Sequence, residues 1–418
     1  MDTPLVTVDG IAAGGEGIGR LHGKTIFIRL AAPGDTVRCR IIAEHKTWAR
    51  AELEELLEPS PQRTAPPCPH YGECGGCDLQ HLTYEAQIAA KTAILKDAFV
   101  RIGGITPPEP EVFTSAPWEY RNRMKFHVQG AASRDQGAAN REQAYGLKAR
   151  HSDDIVPIGD CPVADPGIRA FLRQSHAGDI PAFCQAKKSF SVYARGGLFL
   201  VEGGVEQGIT KILDRDMHMD ATVFFQGNAA MLETLISDLS VVARNADRSA
   251  AMADLYCGVG TFAAFLGSGF HRIDLLEENP KALALARKNV MRGESGGDFP
   301  DFSARRHGVH GGTEGLRNRG AESIKFFSMR DRDWPSLNRT GYGFIVADPP
   351  RQGLDPGLAA WIAANGPPLF AYVSCNPATL ARDSKTLCQN RYSLSSLRFY
   401  DFYPQTAHIE CLAVFSAR

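Results

Sequence analysis

Apolar and β-branched positions cluster in residues 5–8, 25–28 and 36–42, which read as short strands. Gly14-Gly15-Glu16-Gly17 and Pro33-Gly34-Asp35 interrupt these pieces, and short strands at this spacing predict a small β-barrel of the OB type. Pro59-Ser60-Pro61 and Pro66-Pro67 mark a linker, after which a Cys-rich segment leads into a helical stretch over about 83–101. Strand-like pieces recur at 123–128 and 189–201. From about residue 226 the chain alternates strand and helix: strands at 251–256, 272–277, 343–347, 369–374 and 411–415, with a helix at 280–290. That alternation marks an α/β sheet. Three parts are therefore expected: a β-barrel over 1–62, a central α+β region over 63–225, and a Rossmann-like α/β domain over 226–418.

A length of 418 residues accommodates two or three such parts, and 44% hydrophobic with 22% charged residues is the composition of a globular protein. No run of about 18 apolar residues occurs, and Met1-Asp2-Thr3-Pro4 lacks the basic-then-apolar pattern of a secretory signal. The expected location is the cytoplasm, without a membrane partner, so the ten cysteines are expected to be ligands or nucleophiles rather than disulfides. A monomer is expected.

The net charge of −1, from 46 basic against 47 acidic residues, argues at first against a polyanionic partner. The basic excess is local, however. Residues 17–50 hold seven Lys+Arg against two acids, a difference of +5, and residues 119–151 hold seven against three, a difference of +4. Glu52, Glu54, Glu55 and Glu58 hide the first excess from the total. Within the second, Tyr120-Arg121-Asn122-Arg123-Met124-Lys125-Phe126-His127 alternates cations with aromatics. On a strand this gives a basic face beside a stacking face, which suits RNA, and it is equally the pattern of an ordinary amphipathic strand.

Cys68, Cys74 and Cys77 stand as C-x5-C-x2-C, with Gly75-Gly76 allowing a tight curl, and Cys161 lies downstream as a fourth thiol. Four soft thiolates select zinc or an iron–sulfur cluster, and the spacing leaves both open. Asp254-Leu255-Tyr256-Cys257-Gly258-Val259-Gly260 is a strand running into the Gly-rich turn of a nucleotide-binding sheet. It is not G-x-G-x-x-G, which weakens a dinucleotide reading, and Glu277 closing the next strand suits the ribose hydroxyls of S-adenosylmethionine. Asp348-Pro349-Pro350-Arg351 ends another strand in a rigid turn that can hold a polar group at a reaction centre. Cys375, between an apolar strand and a helix, is expected exposed near a helix N-terminus, where a thiol's pKa falls and it becomes nucleophilic. Glu410, opening an apolar strand, is the expected general base.

Taken together these residues resemble the RNA (uracil-5-)-methyltransferase family, in its iron–sulfur-containing branch that acts on 23S ribosomal RNA, nearly end to end. The barrel looks like a TRAM domain, and the segment from Cys68 to His81 is similar to that branch's cluster segment, completed by Cys161. Phe225-Gln226-Gly227-Asn228 resembles the entry to the methyltransferase fold, Ser374-Cys375-Asn376-Pro377 the nucleophile motif and His408-Ile409-Glu410 the base motif.

The resemblance implies a class I S-adenosylmethionine-dependent methyltransferase fold with the donor held by Gln226, Tyr256, Glu277 and Asp348. It further implies a 4Fe-4S cluster on Cys68, Cys74, Cys77 and Cys161, Cys375 as nucleophile, Glu410 as base, and a target uridine flipped out of its stack. A further donor contact, for which Asp331 is one choice, is expected somewhere in 291–334. The alternatives are a tRNA uridine C5-methyltransferase, a methyltransferase for exocyclic amines using Asp348-Pro349-Pro350, and a metal-stabilised RNA-binding or redox-sensing protein without turnover.

Overall fold

The computed structural model describes residues 3–128, 145–176, 188–291, 323–337 and 339–418. Most of the expected loop at 130–145, and residues 292–322 of the stretch expected to carry a further donor contact, lie outside these.

Strands β1 (Leu5–Ile11), β2 (Gly17–Leu21), β3 (Lys24–Arg29), β4 (Thr36–Glu44) and β5 (Trp48–Glu58) close into a barrel in the order β1-β2-β3-β5-β4. Val6, Val8, Ile26, Ile28, Val37, Cys39, Ala49 and Ala51 point inward and form its core. Two of these strands escape the sequence pattern. Gly17 begins β2 rather than breaking the chain, because a Cβ there would sit 2.7 Å from the Ala31 carbonyl oxygen, and one on Gly19 would sit 2.6 Å from that of Thr7. The acidic run of β5, unassigned by the sequence pattern, lies antiparallel to β4, where Arg38 meets Glu55 at 3.1 Å and Arg40 meets Glu54 at 3.1 Å and also Glu52.

Helix α1 (Tyr84–Ala98) is N-capped by Thr83, whose hydroxyl accepts from the Ala86 amide at 3.3 Å. A single π turn at Phe99–Gly103 ends it, followed by Gly104 at φ 62°. Strand β6 (Glu111–Phe113) leaves this region and joins the large C-terminal sheet. A five-stranded antiparallel sheet, ordered β11-β10-β7-β8-β9, is formed by β7 (Arg123–Val128), β8 (Tyr145–Lys148), β9 (Ile155–Pro157), β10 (Ser189–Arg195) and β11 (Leu198–Val201), with α2 (Pro166–His176) packed on β10. The strand expected over 189–201 is thus a hairpin, turned at Gly196 and Gly197 with φ of 56° and 86°.

A second hairpin, β12 (Gln207–Ile212) with β13 (Arg215–Asp220), shares its core with the large sheet through Ile212, Met217 and Met219. The central region therefore does not stand apart from the α/β domain.

The large sheet is built from β14 (Ala251–Leu255), β15 (Arg272–Leu276), β16 (Ser323–Phe327), β17 (Tyr342–Ala347), β18 (Leu369–Ser374), β19 (Tyr392–Tyr400) and β20 (Glu410–Ala417), and β6 completes it. The order is β16-β15-β14-β17-β18-β20-β19-β6; the first five are parallel, and β20 runs antiparallel to β18. Helices α3 (Ala229–Arg244), α4 (Thr261–Leu266), α5 (Pro280–Met291), α6 (Pro356–Asn365) and α7 (Pro377–Gln389) alternate with the strands. Every residue of β14 and β17 is buried, as parallel strands covered on both faces require. Helix α1 is locked to this domain by a Lys91–Asp401 ion pair of 2.7 Å, both side chains fully buried.

Candidate active site

The carboxyl ends of parallel strands are where an open α/β sheet holds its ligands, and here they open into a cleft of about 1010 Å³. At the end of β14, Tyr256 takes φ 62° and Gly258 and Gly260 take 55° and 79°, turning the chain sharply into α4. Gly260 has a second reason to be glycine, since a Cβ there would meet Ala286 Cβ of α5 at 2.9 Å. The Glu277 carboxylate accepts from the Gly258 amide at 3.0 Å and the Asn279 amide at 2.7 Å. Tyr256 donates its phenol proton to Asp331 Oδ2 at 2.6 Å, which brings Asp331 to the cleft wall as well. Gln226 Nε2 approaches Asp348 Oδ2 at 3.4 Å, and Gln226 Oε1 is buried with no partner among the described residues. An orphaned buried acceptor beside a carboxylate is suited to a polar ligand that donates to it.

Cys375 and Glu410 line the same cleft. Strand β18 pairs with β20 at Ser374↔Cys411, so one step further out Cys375 stands across from Glu410. Asn376 then caps α7, its Oδ1 accepting from the Ala378 amide at 3.0 Å. The expected lowering of the Cys375 pKa is not what the cleft produces. Burial, then the nearby carboxyl groups of Glu410 and Asp348, push the thiol up to about 12, against the pull of Arg351. A helix N-terminus acts within one turn and is outweighed by burial and two acids.

Glu410 is itself buried, where an acid at a strand start is ordinarily solvated, and burial with Asp348 nearby raises its pKa well above the usual range. Burial raises Asp348 to about 7, with the Gln226 hydrogen bond opposing it.

Four further residues line the wall: Arg121, which the sequence pattern set on an RNA-facing strand, and Arg351, Tyr403 and His408, to which it gave no role. Arg351 Nη2 donates to His408 Nδ1 at 3.2 Å, and burial and Arg351 hold His408 down at about 4, so its ring is neutral at pH 7. The Arg121 guanidinium lies 5.8 Å from the Tyr403 ring centroid. Arg351 and His408 stand inside the recognised motifs at 348–351 and 408–410 and were within reach of the pattern; Tyr403 carries no such signal.

Cys68, Cys74, Cys77 and Cys161 face one small second cavity, which Arg121 also borders. Burial pushes Cys77 up to about 12 and Cys161 to about 11. As the side chains stand, no three metal-binding groups among the described residues are close enough to hold an ion, so the expected cluster is not seen in the geometry. The donor set, four thiols around one small cavity, nevertheless suits zinc or iron–sulfur chemistry, because a metal deprotonates its thiol ligands.

Of the two readings of the 120–127 stretch, β7 shows the ordinary amphipathic strand, its alternate residues buried. On β7 and just before it, Tyr120, Met124 and Phe126 are buried in the central core, so no stacking face is offered to bases; the cationic face remains, with Arg123 5.7 Å from the exposed Phe224 ring. In the barrel, Lys24, Arg38, Arg40 and Arg50 are all ion-paired, with Glu44, Glu55, Glu52 and Glu54, and Glu16. None of the described helices is long and apolar enough to cross a membrane.

Residues 200–418 match the family model described as tRNA (uracil-5-)-methyltransferase, and residues 2–53 match the TRAM domain. The chain is 30% identical to a 23S rRNA (uracil(1939)-C(5))-methyltransferase RlmD of Aeromonas hydrophila, over 99% of this chain and 96% of that protein. It is 28% identical to an uncharacterised RNA methyltransferase of Treponema denticola, over 94% of each. Among solved structures it resembles the Pyrococcus abyssi tRNA (uracil-54, C5)-methyltransferase in complex with S-adenosyl-L-homocysteine, with a TM-score of 0.70 and 24% identity, over 98% of this chain and 100% of that one.

Proposed function

The chain belongs to the tRNA (uracil-5-)-methyltransferase family and is an RNA (uracil-5-)-methyltransferase, and we propose that it methylates C5 of a uridine in 23S ribosomal RNA, in the cytoplasm, with S-adenosylmethionine as donor. One observation carries the mechanism: the β18/β20 register sets Cys375 opposite Glu410 in the cleft that also holds Gln226, Tyr256, Glu277 and Asp348. Its volume is at the top of the range for ligand pockets, room for a donor and a flipped base together. The residues present fit the donor: Glu277 for ribose hydroxyls, Asp348 and the unpaired Gln226 oxygen for its polar groups. When bound, the donor supplies an electrophilic methyl group.

The C5 carbon of uracil is too weak a nucleophile to take that methyl unaided. Addition of the Cys375 thiolate to C6 makes C5 an enolate carbon able to attack it, splitting one hard step into easier ones. The C5 proton then passes to Glu410, whose raised pKa suits a base, and the C6–S bond breaks to restore both the ring and the thiolate. Arg351 is the nearby cation that favours the thiolate. By the same reading Cys68, Cys74, Cys77 and Cys161 hold a 4Fe-4S cluster, with zinc as the alternative.

The ribosomal assignment rests on relatives named as 23S rRNA enzymes that match along nearly their whole length. The barrel does not decide it, because a tRNA enzyme shares the fold over the full chain. Incubation with tritiated S-adenosylmethionine and either 23S rRNA or tRNA separates these readings. Label at uridine C5 of 23S rRNA is expected, falling at least roughly 10³-fold in Cys375→Ala with RNA binding retained. Label in tRNA alone transfers the assignment to tRNA; no label favours a binding protein, and full activity in Cys375→Ala sinks the mechanism.

A further inference from the structure

Between β19 and β20 the chain crosses from Tyr400 to Glu410 in a strap, residues 401–409, that carries Tyr403 and His408 into the cleft and delivers Glu410. At its centre Gln405 takes φ 69°, a conformation a side-chain-bearing residue keeps only when its surroundings over-determine it. The surroundings come from far away in sequence. The amides of Asp78 and Leu79 donate to the Gln405 carbonyl at 2.8 and 2.9 Å, and the Ala407 amide donates to Asp78 Oδ2 at 2.9 Å. From α1, Gln87 Oε1 accepts from the Gln405 amide at 2.9 Å, and Gln87 Nε2 donates to Gln405 Oε1 at 3.0 Å. Asp78 is held in turn by Arg150, which also donates to the Cys77 carbonyl at 2.8 Å.

Resting on the reading of Glu410 as the base, we propose that Asp78 and Gln87 are positioning residues for the reaction: they hold the strap in the one conformation that places Glu410 against its substrate proton. Neither lines the cleft. Cys375 sits at the end of β18, outside the strap, so loosening the strap impairs proton removal from C5 and leaves thiolate addition intact. That asymmetry separates positioning from general destabilisation, which weakens both steps together.

The test compares full-length wild type, Asp78→Ala, Asp78→Asn and Gln87→Ala, by turnover, by denaturant-resistant protein–RNA adduct, and by amide hydrogen exchange. In Asp78→Ala, kcat is expected to fall on the order of 10- to 100-fold, the effect of a misplaced catalytic group. The KM for S-adenosylmethionine stays put, adduct accumulates, and the Ala407 amide exchanges faster. Asp78→Asn restores most of the rate, because the amide oxygen still accepts from Ala407. Gln87→Ala, which leaves the cysteine segment untouched, shows the same pattern with faster exchange at Gln405, and it carries the test if Asp78→Ala does not fold. Wild-type exchange in the strap, or adduct formation falling in step with its release, overturns the proposal. If wild type itself yields no 5-methyluridine, the functional reading fails, and the exchange measurement still decides whether Asp78 and Gln87 hold the strap.

Discussion

Cys375 shows how far a residue's identity can be read before its chemistry. Its place after an apolar strand and before a Pro-started helix is legible, and so is its company with Gln226, Tyr256, Glu277, Asp348 and Glu410. The direction in which its pKa moves is not, because that depends on which carboxyl groups a sheet brings near from residues 348 and 410. The negative charge of Glu410 opposes the thiolate and raises the thiol's pKa. In Glu410→Gln the midpoint of Cys375 alkylation, followed by mass spectrometry against pH, is therefore expected to lie lower than in wild type. Well below both midpoints, the thiolate fraction at a fixed pH is then about tenfold larger for a midpoint one pH unit lower. An unchanged midpoint contradicts the electrostatic account.

Apolar runs bounded by turn residues are the elements the sequence pattern predicts well: β14, β15, β17 and β18 fall within a residue of expectation. Those missed share a physical cause, in that their polar or glycine residues make sense only against a partner strand. Gly17 and Gly19 answer to backbone across β2, the acids of β5 to arginines on β4, and the three-residue β6 to β19, with which it pairs from some 290 residues away in the chain. The segment from Cys68 to His81 belongs to this scale too, since its thiols meet Cys161 only through tertiary packing. Anaerobic purification is expected to give a brown protein containing iron and sulfide, with Cys161→Ser losing the colour. A colourless zinc-loaded protein overturns the iron–sulfur assignment and leaves the four-thiol site standing.

For the whole molecule, the charge balance carries a different lesson from the one its total offers. The barrel's local excess, seven cations against two acids over residues 17–50, is largely matched by ion pairs to β5 and to Glu16. The cations that face the cleft are Arg121, Arg330, Arg332, Arg351 and Arg382, drawn from widely separated parts of the chain, and no window of sequence displays them together. The same wall carries Glu277, Glu278, Asp331, Asp348, Asp355 and Glu410, with Arg330 paired to Glu278 at 3.2 Å and Arg382 to Asp383 at 2.7 Å, so the cleft is a surface of mixed charge. What that cleft does is read most directly by intact-mass and peptide analysis of Glu410→Gln after incubation with 23S rRNA and S-adenosylmethionine. The expected result is a denaturant-stable adduct in which a C5-methylated uridine is bonded through C6 to Cys375; turnover at the wild-type rate without adduct, or an adduct on another residue, contradicts the account.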